Sequence, residues 1–205
     1  MLEIARRTDK DAKAEAVWWL LNRKDSQWKS VDIAGALKQA GIYDPASVEL
    51  IAATIPPADP PKFTIAEVTR LRGDVNRGNQ KFMQTCTACH RVGDDGTDYA
   101  PNLTGWARRQ TTEVLVQSVI NPSAEIAHGF GGVELVTQDG TEIHGLVISD
   151  GDPVVMQSAA GVVQMIPKAR IRSRKPLNRS LMMSADQLGL TPQDLADIAE
   201  FLKTR

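Results

Sequence analysis

The sequence has few cysteines, few aromatic residues and almost no net charge. Two of its 205 residues are cysteine and 5% are aromatic. Two cysteines are too few for a disulfide scaffold. The 24 lysines and arginines nearly balance the 25 aspartates and glutamates, giving a net charge of −1. No overall positive field therefore favours nucleic acid or an anionic membrane as a partner.

Long apolar runs are also missing. No stretch reaches the roughly 18 apolar residues of a membrane-spanning helix, so no transmembrane segment is expected. Residues 1–15 alternate in charge and lack the apolar core of a signal peptide. The remaining composition, 42% hydrophobic and 24% charged, is ordinary for a globular protein. The length suits one large domain or two small ones.

Residues 1–62 are predicted to form a helical segment that ends in a proline-rich linker. A second helix is expected between residues 30 and 41, and a third is expected to begin at Asp44-Pro45, its N-cap and first helical residue. Four prolines in residues 55–61 exclude helix there and favour a linker. The first helix shows the spacing of a single apolar face at Ala14, Val17, Trp18 and Leu21.

The apolar period changes from helix to strand between residues 129 and 175. Turn residues at Asp139-Gly140, Asp150-Gly151 and Ala160-Gly161 separate segments rich in β-branched residues. Thr191-Pro192 then begins a final helix. The predicted fold class is mainly α with a small antiparallel β insertion, whose strands are residues 133–137, 142–149, 153–157 and 162–166.

Cys86-Thr-Ala-Cys89-His90 is the pattern of covalent haem attachment. On a helical turn the two cysteines lie on one face and reach the vinyl groups along one haem edge. His90 then follows as the proximal iron ligand. A dithiol redox site gives no reason for His90, and a zinc site needs a further ligand, for which His128 and His144 remain. The motif predicts one covalently attached haem c.

The spacing of residues does not choose a sixth iron ligand. His128 is expected at a helix-to-sheet junction, and His144 lies inside a predicted strand. Two methionines of the predicted sheet, Met156 and Met165, have the character of core residues. Met182 and Met183 lie in a non-helical stretch before the final helix, where either a ligand role or a core role is possible.

Two segments around the motif resemble small cytochromes c. Arg77-Gly78-Asn-Gln-Lys-Phe82 resembles the G-x-x-x-F of their N-terminal helix, where the glycine permits close crossing by a C-terminal helix, here residues 192–204. Residues 99–105 resemble their G-P-[DN]-L-T-G loop, with Ala100 at the usual glycine. The resemblance implies that the Pro101 carbonyl accepts a hydrogen bond from Nδ1 of His90 and so fixes the ligand.

A longer resemblance is to the Pirellula/Verrucomicrobium-type haem-binding domain, a cytochrome c with a β-rich insertion before its methionine loop. It rests on residues 118–126, 137–145 and 166–167 and on Ser180-Leu-Met182. It implies a haem domain over residues 63–205, with the insertion at about residues 129–175, preceded by the end of a HEAT-like helical array. It also implies Met182 as the distal ligand, with Met183 in place of the family's proline.

These features predict a monohaem c-type cytochrome domain that carries single electrons and is not itself an enzyme. The implied electron donor is a dehydrogenase domain or another redox protein. The alternative is a ligand-binding or peroxidatic haem protein whose sixth position is open or labile. Because haem c is attached outside the cytoplasm, a periplasmic or otherwise extracytoplasmic location is expected.

A run of basic residues follows the predicted sheet, and no acidic residue occurs from 153 to 185. An extended strand would place its four charges on one face, where they would steer an acidic partner. The alternative is a solvated edge strand whose charges prevent aggregation. The four residues are Lys168, Arg170, Arg172 and Arg174.

Overall fold

The computed structural model describes residues 1–6, 10–24, 28–158 and 161–205. The helices of this part are α1 (Leu2–Ala5), α2 (Lys10–Leu21), α3 (Ile33–Gln39), α4 (Ile65–Thr69), α5 (Val75–Thr85), α6 (Thr112–Ile120) and α7 (Pro192–Leu202). The strands are β1 (Arg91–Val92), β2 (Asp95–Gly96), β3 (Val133–Thr137), β4 (Glu142–Ser149), β5 (Val154–Ser158), β6 (Val162–Ile166) and β7 (Ile171–Pro176). Among these described helices, none combines the length and apolarity that a membrane crossing needs.

The structure contains helix and strand in more even proportions than a mainly α fold, which was the predicted class. Of the residues that the structure describes, 33% are in helices and 17% are in strands. Five strands form one antiparallel sheet in the order β6-β5-β4-β3-β7, and β1 and β2 form a separate small hairpin. The balance differs from the prediction because the sheet contains a fifth strand and because one predicted helix is extended.

The chain divides into two compact units. The first contains residues 1–54 and 133–176, and the second contains residues 55–132 and 177–205. The N-terminal helices thus share a unit with the five-stranded sheet, while the helices near the two cysteines share a unit with α7. The predicted domains, 1–62 and 63–205, group the chain differently. They stay a prediction, because compactness describes which residues pack together and not which would fold alone.

The sheet of the first unit confirms the predicted antiparallel strands. Strands β3, β4 and β6 have the predicted bounds, and β5 is displaced by one residue. The predicted turn at Ala160-Gly161 lies partly outside the described residues, because Ala160 is not among them. Alternation along the strands turns one face inward, and its buried core consists of Leu135, Ile143, Met156 and Ile166.

The prediction of a helix that begins at Asp44-Pro45 is wrong, because this segment is not helical. The Asp44 carboxylate instead accepts a hydrogen bond from the backbone of Ala46, two residues on, in a tight turn. Beyond it, the N–H and C=O of Ile51 both bond to the side chain of Gln164, at 2.8 and 3.0 Å. Ala53 forms a parallel bridge with β4. The segment is extended because its backbone groups find partners in the sheet.

The second unit is built around the crossing of α5 and α7, which confirms the predicted role of Gly78. A Cβ atom at Gly78 would lie 1.9 Å from the carbonyl oxygen of Asp197 in α7. Only the absence of a side chain allows this approach. One turn further along α5, the rings of Phe82 and Phe201 pack at 5.5 Å between centroids. As predicted, Thr191 caps α7 and Pro192 is its first residue.

The chain leaves the second unit at Gly132 and re-enters it at Leu177. The backbone N–H of Leu177 donates a hydrogen bond to the carbonyl of Gly132 at 2.9 Å. The Leu181 side chain also packs against Gly132: a Cβ atom added to this glycine would lie 2.8 Å from Cγ of Leu181. The two ends of the inserted segment are therefore neighbours.

A buried carboxylate ties α5 to α7. Asp197 is only 3% exposed, and its oxygens accept bonds from Arg77 Nε at 2.7 Å and Nη2 at 2.9 Å. The Asp74 backbone N–H and the Gln193 side chain donate to it as well, at 2.8 and 2.9 Å. Burial alone would raise the pKa of Asp197, but these hydrogen bonds outweigh burial and lower it.

We expect Asp197→Asn to lower the free energy of unfolding at pH 7 by about 1 to 2 kcal/mol, because hydrogen bonds to a charged acceptor are lost. The folded-state pKa lies below the unfolded value of about 3.9. The carboxylate's contribution is therefore present above that pH and is lost as the pH falls through the folded pKa. Urea unfolding of both proteins between pH 7 and pH 3 measures the difference.

The control is Asp59→Asn, which changes an exposed aspartate of the proline-rich segment. It should leave the unfolding free energy unchanged within about 0.5 kcal/mol. The stabilising role of the Asp197 charge would be contradicted if Asp197→Asn were as stable as the unchanged protein at pH 7. It would equally be contradicted if the difference between them failed to shrink in acid.

Candidate haem site

The cysteine motif continues the end of α5 as one further turn. The N–H of Cys86 bonds to the carbonyl of Phe82 at 2.8 Å, within the helical pattern. The N–H groups of Cys89 and His90 then both donate to the carbonyl of Cys86, at 3.1 and 2.9 Å. The i, i+3 relation that the haem interpretation requires is therefore present in the backbone.

The two thiols are half-buried and are not bonded to each other. Burial, with a smaller contribution from the neighbouring Cys89, raises the pKa of Cys86 to about 12. The Cys86 side chain is consequently a thiol at neutral pH. A dithiol oxidoreductase depends on a cysteine of lowered pKa, so this environment argues against the dithiol alternative.

His90 makes the hydrogen bond that the cytochrome resemblance implies. Its Nδ1 lies 2.8 Å from the carbonyl oxygen of Pro101. Burial lowers the pKa of His90, although this hydrogen bond opposes the shift, so the imidazole is neutral near pH 7. In the neutral ring, Nδ1 donates its proton to Pro101, and Nε2 is left to bind a metal. Backbone bonds from Ala100 to Cys89 and from Leu103 to Arg91 hold the loop in place.

A short hairpin between His90 and Pro101 was missed by the sequence interpretation. Strands β1 and β2 pair antiparallel, and Gly96 has a φ of +96°. A Cβ atom at Gly96 would lie 2.0 Å from the carbonyl oxygen of His90, so glycine is required at this position. The hydroxyl of Thr97 donates to the carbonyl of Ala88 at 2.9 Å. The turn residues Gly93-Asp-Asp-Gly96 were the signal for this hairpin.

Met182 lies in the second unit, in a non-helical loop that is attached to α6 and its C-terminal end at two points. The N–H of Ser180 donates to the side chain of Ser123, just beyond α6, at 3.1 Å. The N–H of Ala185 donates to the carbonyl of Val119 at 2.8 Å. Met182 itself is half-buried. Its role as a ligand stays a prediction.

The other candidate ligands differ in their surroundings. Met183 is 40% exposed, so the core role that the sequence left open for it does not apply. His128 is exposed at the expected junction. Met156 is fully buried in the sheet core, as predicted for a core residue. His144 is buried in β4, where its Nε2 contacts the Glu142 carboxylate at 2.8 Å.

Three buried polar atoms of the second unit have no hydrogen-bond partner: the Tyr99 hydroxyl, Nη1 of Arg179 and Oδ1 of Asn79. Such atoms are rare in folded proteins and need an explanation. The first two are donors, of the kind that the carboxylates of a haem propionate accept from. Together with the cysteine turn and the orientation of His90, they show that the residues present fit haem c.

Residues 75–141 match the family described as Cytochrome c. The matched part contains α5, the cysteine motif, the Pro101 loop and α6, and it covers about a third of the chain. This match supports a c-type cytochrome domain and hence a haem-binding electron-transfer protein. No curated protein matches the chain. Met182 and α7 lie outside the matched residues, and the Pirellula/Verrucomicrobium type and the HEAT-like array stay predictions.

The basic residues do not form the predicted single extended face. Lys168–Arg170 is a 3₁₀ turn, and the strand begins only at Ile171. Arg170 donates to the carbonyl of Val48 and to the carboxylate of Asp139. Lys168 and Arg174 both lie within 4 Å of the Asp150 carboxylate. Acids from other parts of the first unit thus pair with three of these cations, which a local sequence pattern does not reveal.

Proposed function

We propose that this protein is a monohaem c-type cytochrome domain that carries single electrons. One observation carries the proposal: the cysteine motif forms a helical turn beside a histidine whose Nδ1 is bonded to the Pro101 carbonyl. In this proposal Cys86 and Cys89 hold the haem by thioethers, and His90 Nε2 binds its iron. The bound haem supplies a one-electron iron couple.

The protein's part is to hold the ligands and to keep water from them. Pro101 fixes the tautomer and the ring orientation of His90, and an acceptor at Nδ1 increases the basicity of the ligating nitrogen. The proposed distal ligand is Met182, which is half-buried where Met183 is exposed. A thioether ligand raises the reduction potential, and a filled sixth position favours electron transfer over ligand binding.

The donor in this proposal is a dehydrogenase domain or another redox protein, in an extracytoplasmic compartment. An acidic partner would meet the basic residues of the first unit. Arg172 suits this role, because it is exposed on β7, the strand at one end of the sheet order. Lys168, Arg170 and Arg174 contribute less, since carboxylates of this chain already lie beside them.

Replacing Met182 tests both the ligand and the function. We expect Met182→Ala to abolish the sulfur-to-iron charge-transfer band of the ferric protein and to open the iron to added imidazole. Met183→Ala is the matched control, since it removes an adjacent and more exposed thioether. It should keep the band in full. Absorption spectra of the three ferric proteins, before and after imidazole, make the comparison.

Cyanide and carbon monoxide distinguish electron transfer from the alternative function. The unchanged protein should resist both at neutral pH, whereas a peroxidatic or ligand-binding protein would take them up rapidly and completely. Loss of the band in Met183→Ala with retention in Met182→Ala would transfer the ligand role to Met183. A band that survives both changes would rule out this loop as the source of the ligand.

A further inference from the structure

Four polar side chains line one face of the sheet across three neighbouring strands. Glu134 of β3 is the register partner of His144 in β4. Glu142 lies two residues before His144 and so on the same face. Lys175 of β7 is the register partner of Glu134 on the other side. The strand pairing therefore sets these four groups side by side on a rigid support.

Three ligand atoms converge within this group. Nε2 of His144 lies 2.8 Å from a Glu142 oxygen and 3.8 Å from Oε2 of Glu134. All three atoms lie within 4.8 Å of one another. Among the described residues, no other set of three histidine, cysteine, aspartate or glutamate side chains converges in this way. The donor atoms of Cys86, Cys89 and His90 therefore do not lie this close to one another.

The group lies at the margin of the interior. The side chain of His144 is 3% exposed and that of Glu134 is 17% exposed, whereas that of Glu142 is 45% exposed. Two carboxylates thus meet at one buried imidazole nitrogen, which holds two negative charges close together at this edge of the interior. The exposed Glu142 provides a path by which an ion reaches the other two ligands.

We propose that Glu134, Glu142 and His144 bind one divalent transition-metal ion of the zinc class. One imidazole nitrogen and two carboxylate oxygens are ligands that zinc accepts, and three protein ligands leave a fourth position for water. The ion joins β3 to β4. This site shares no residue with the proposed haem ligands, and the proposal does not depend on them.

Lys175 acts as a positioning residue for this site. Its Nζ lies 2.8 Å from Oε1 of Glu134, while the other oxygen, Oε2, faces His144. Lys175 thus binds one oxygen of the Glu134 carboxylate, and the other oxygen is directed at the proposed ion. Ligating carboxylates commonly accept such a second contact. With a neutral imidazole, the two carboxylates and Lys175 sum to a single negative charge, which a divalent cation overcompensates by one.

Titration of the haem-loaded 205-residue chain with Zn²⁺ tests the proposal by calorimetry and by X-ray absorption at the zinc edge. We expect one bound equivalent with only nitrogen and oxygen ligands. His128→Gln, which changes the exposed histidine, should leave the affinity unchanged within about twofold. Glu142→Gln should weaken it by on the order of tenfold or more, and His144→Gln should abolish it.

Because His144 is buried, its variant is judged only if circular dichroism shows that it is folded. Glu142→Gln, at a half-exposed position, keeps the test decisive without it. The proposal is overturned if Zn²⁺ does not bind, if Glu142→Gln binds as tightly as the unchanged protein, or if His128→Gln loses binding. Sulfur ligands in the absorption spectrum would place the ion at Cys86 and Cys89, overturning this site and also the proposed thioethers.

Discussion

Replacing both cysteines should remove covalently bound haem completely. In the double variant Cys86→Ala, Cys89→Ala, no thioether forms, so the mass of the denatured protein should equal that of the polypeptide alone. The unchanged protein should carry one haem in addition and should keep it in acidified acetone. Each single variant should retain one thioether, because the i, i+3 turn presents the two sulfur atoms separately. Mass spectrometry of the four denatured proteins measures this.

Ala88→Ser is the matched control, since it changes an exposed residue between the two cysteines and leaves both in place. It should carry haem as the unchanged protein does. A pyridine haemochrome spectrum of the b type in the unchanged protein, or haem extracted from it by acidified acetone, would contradict covalent attachment and the proposed function with it.

A methyl group at Gly78 should destabilise the second unit by about 3 kcal/mol, at the upper end of the usual cost of overpacking. Its Cβ would lie 1.9 Å from the Asp197 carbonyl oxygen and 2.9 Å from Cβ of Phe201. Neither atom is at the end of a flexible side chain, so α5 and α7 must separate to admit it. Helix propensity alone predicts the opposite sign, a gain of about 1 kcal/mol for alanine over glycine. A loss of stability would therefore identify the close crossing of α5 and α7 as the cause, and a gain would identify helix propensity.

Gly131→Ala is the control for this experiment. A Cβ atom at Gly131 meets nothing within 4 Å, and its φ is not in the left-handed region. Its unfolding free energy in urea should stay within about 0.5 kcal/mol of the unchanged protein. A Gly78→Ala protein as stable as the unchanged one would show that the two helices do not pack this closely in solution.

The sequence predicted those parts of the fold that local chemistry determines. β-branched runs between turn residues are sufficient to predict β3, β4 and β6, because both signals act within a few residues. Thr191-Pro192 likewise determines the start of α7. In the site, the cysteine motif indicates its own chemistry, while the role of Pro101 came from resemblance and agrees with its contact to His90.

The failures have a common cause, which is dependence on distant partners. The segment after Asp44 has an apolar spacing that fits a helix, but its backbone bonds to Gln164, 113 residues from Ile51. Arg170 pairs with Asp139, 31 residues away. The cluster of Glu134, Glu142 and His144 was missed for the same reason, since only the register of β3 against β4 brings the first and last together.

The hydrogen bond between Gly132 and Leu177 has an evolutionary consequence. Because the chain leaves and re-enters the second unit at adjacent residues, the length of the intervening segment hardly affects the entropy of closing that unit. Each doubling of a flexible loop costs only about 0.6 kcal/mol. We expect relatives of this protein to vary most in the number and length of strands between these two residues, while the chain on either side stays constant in length.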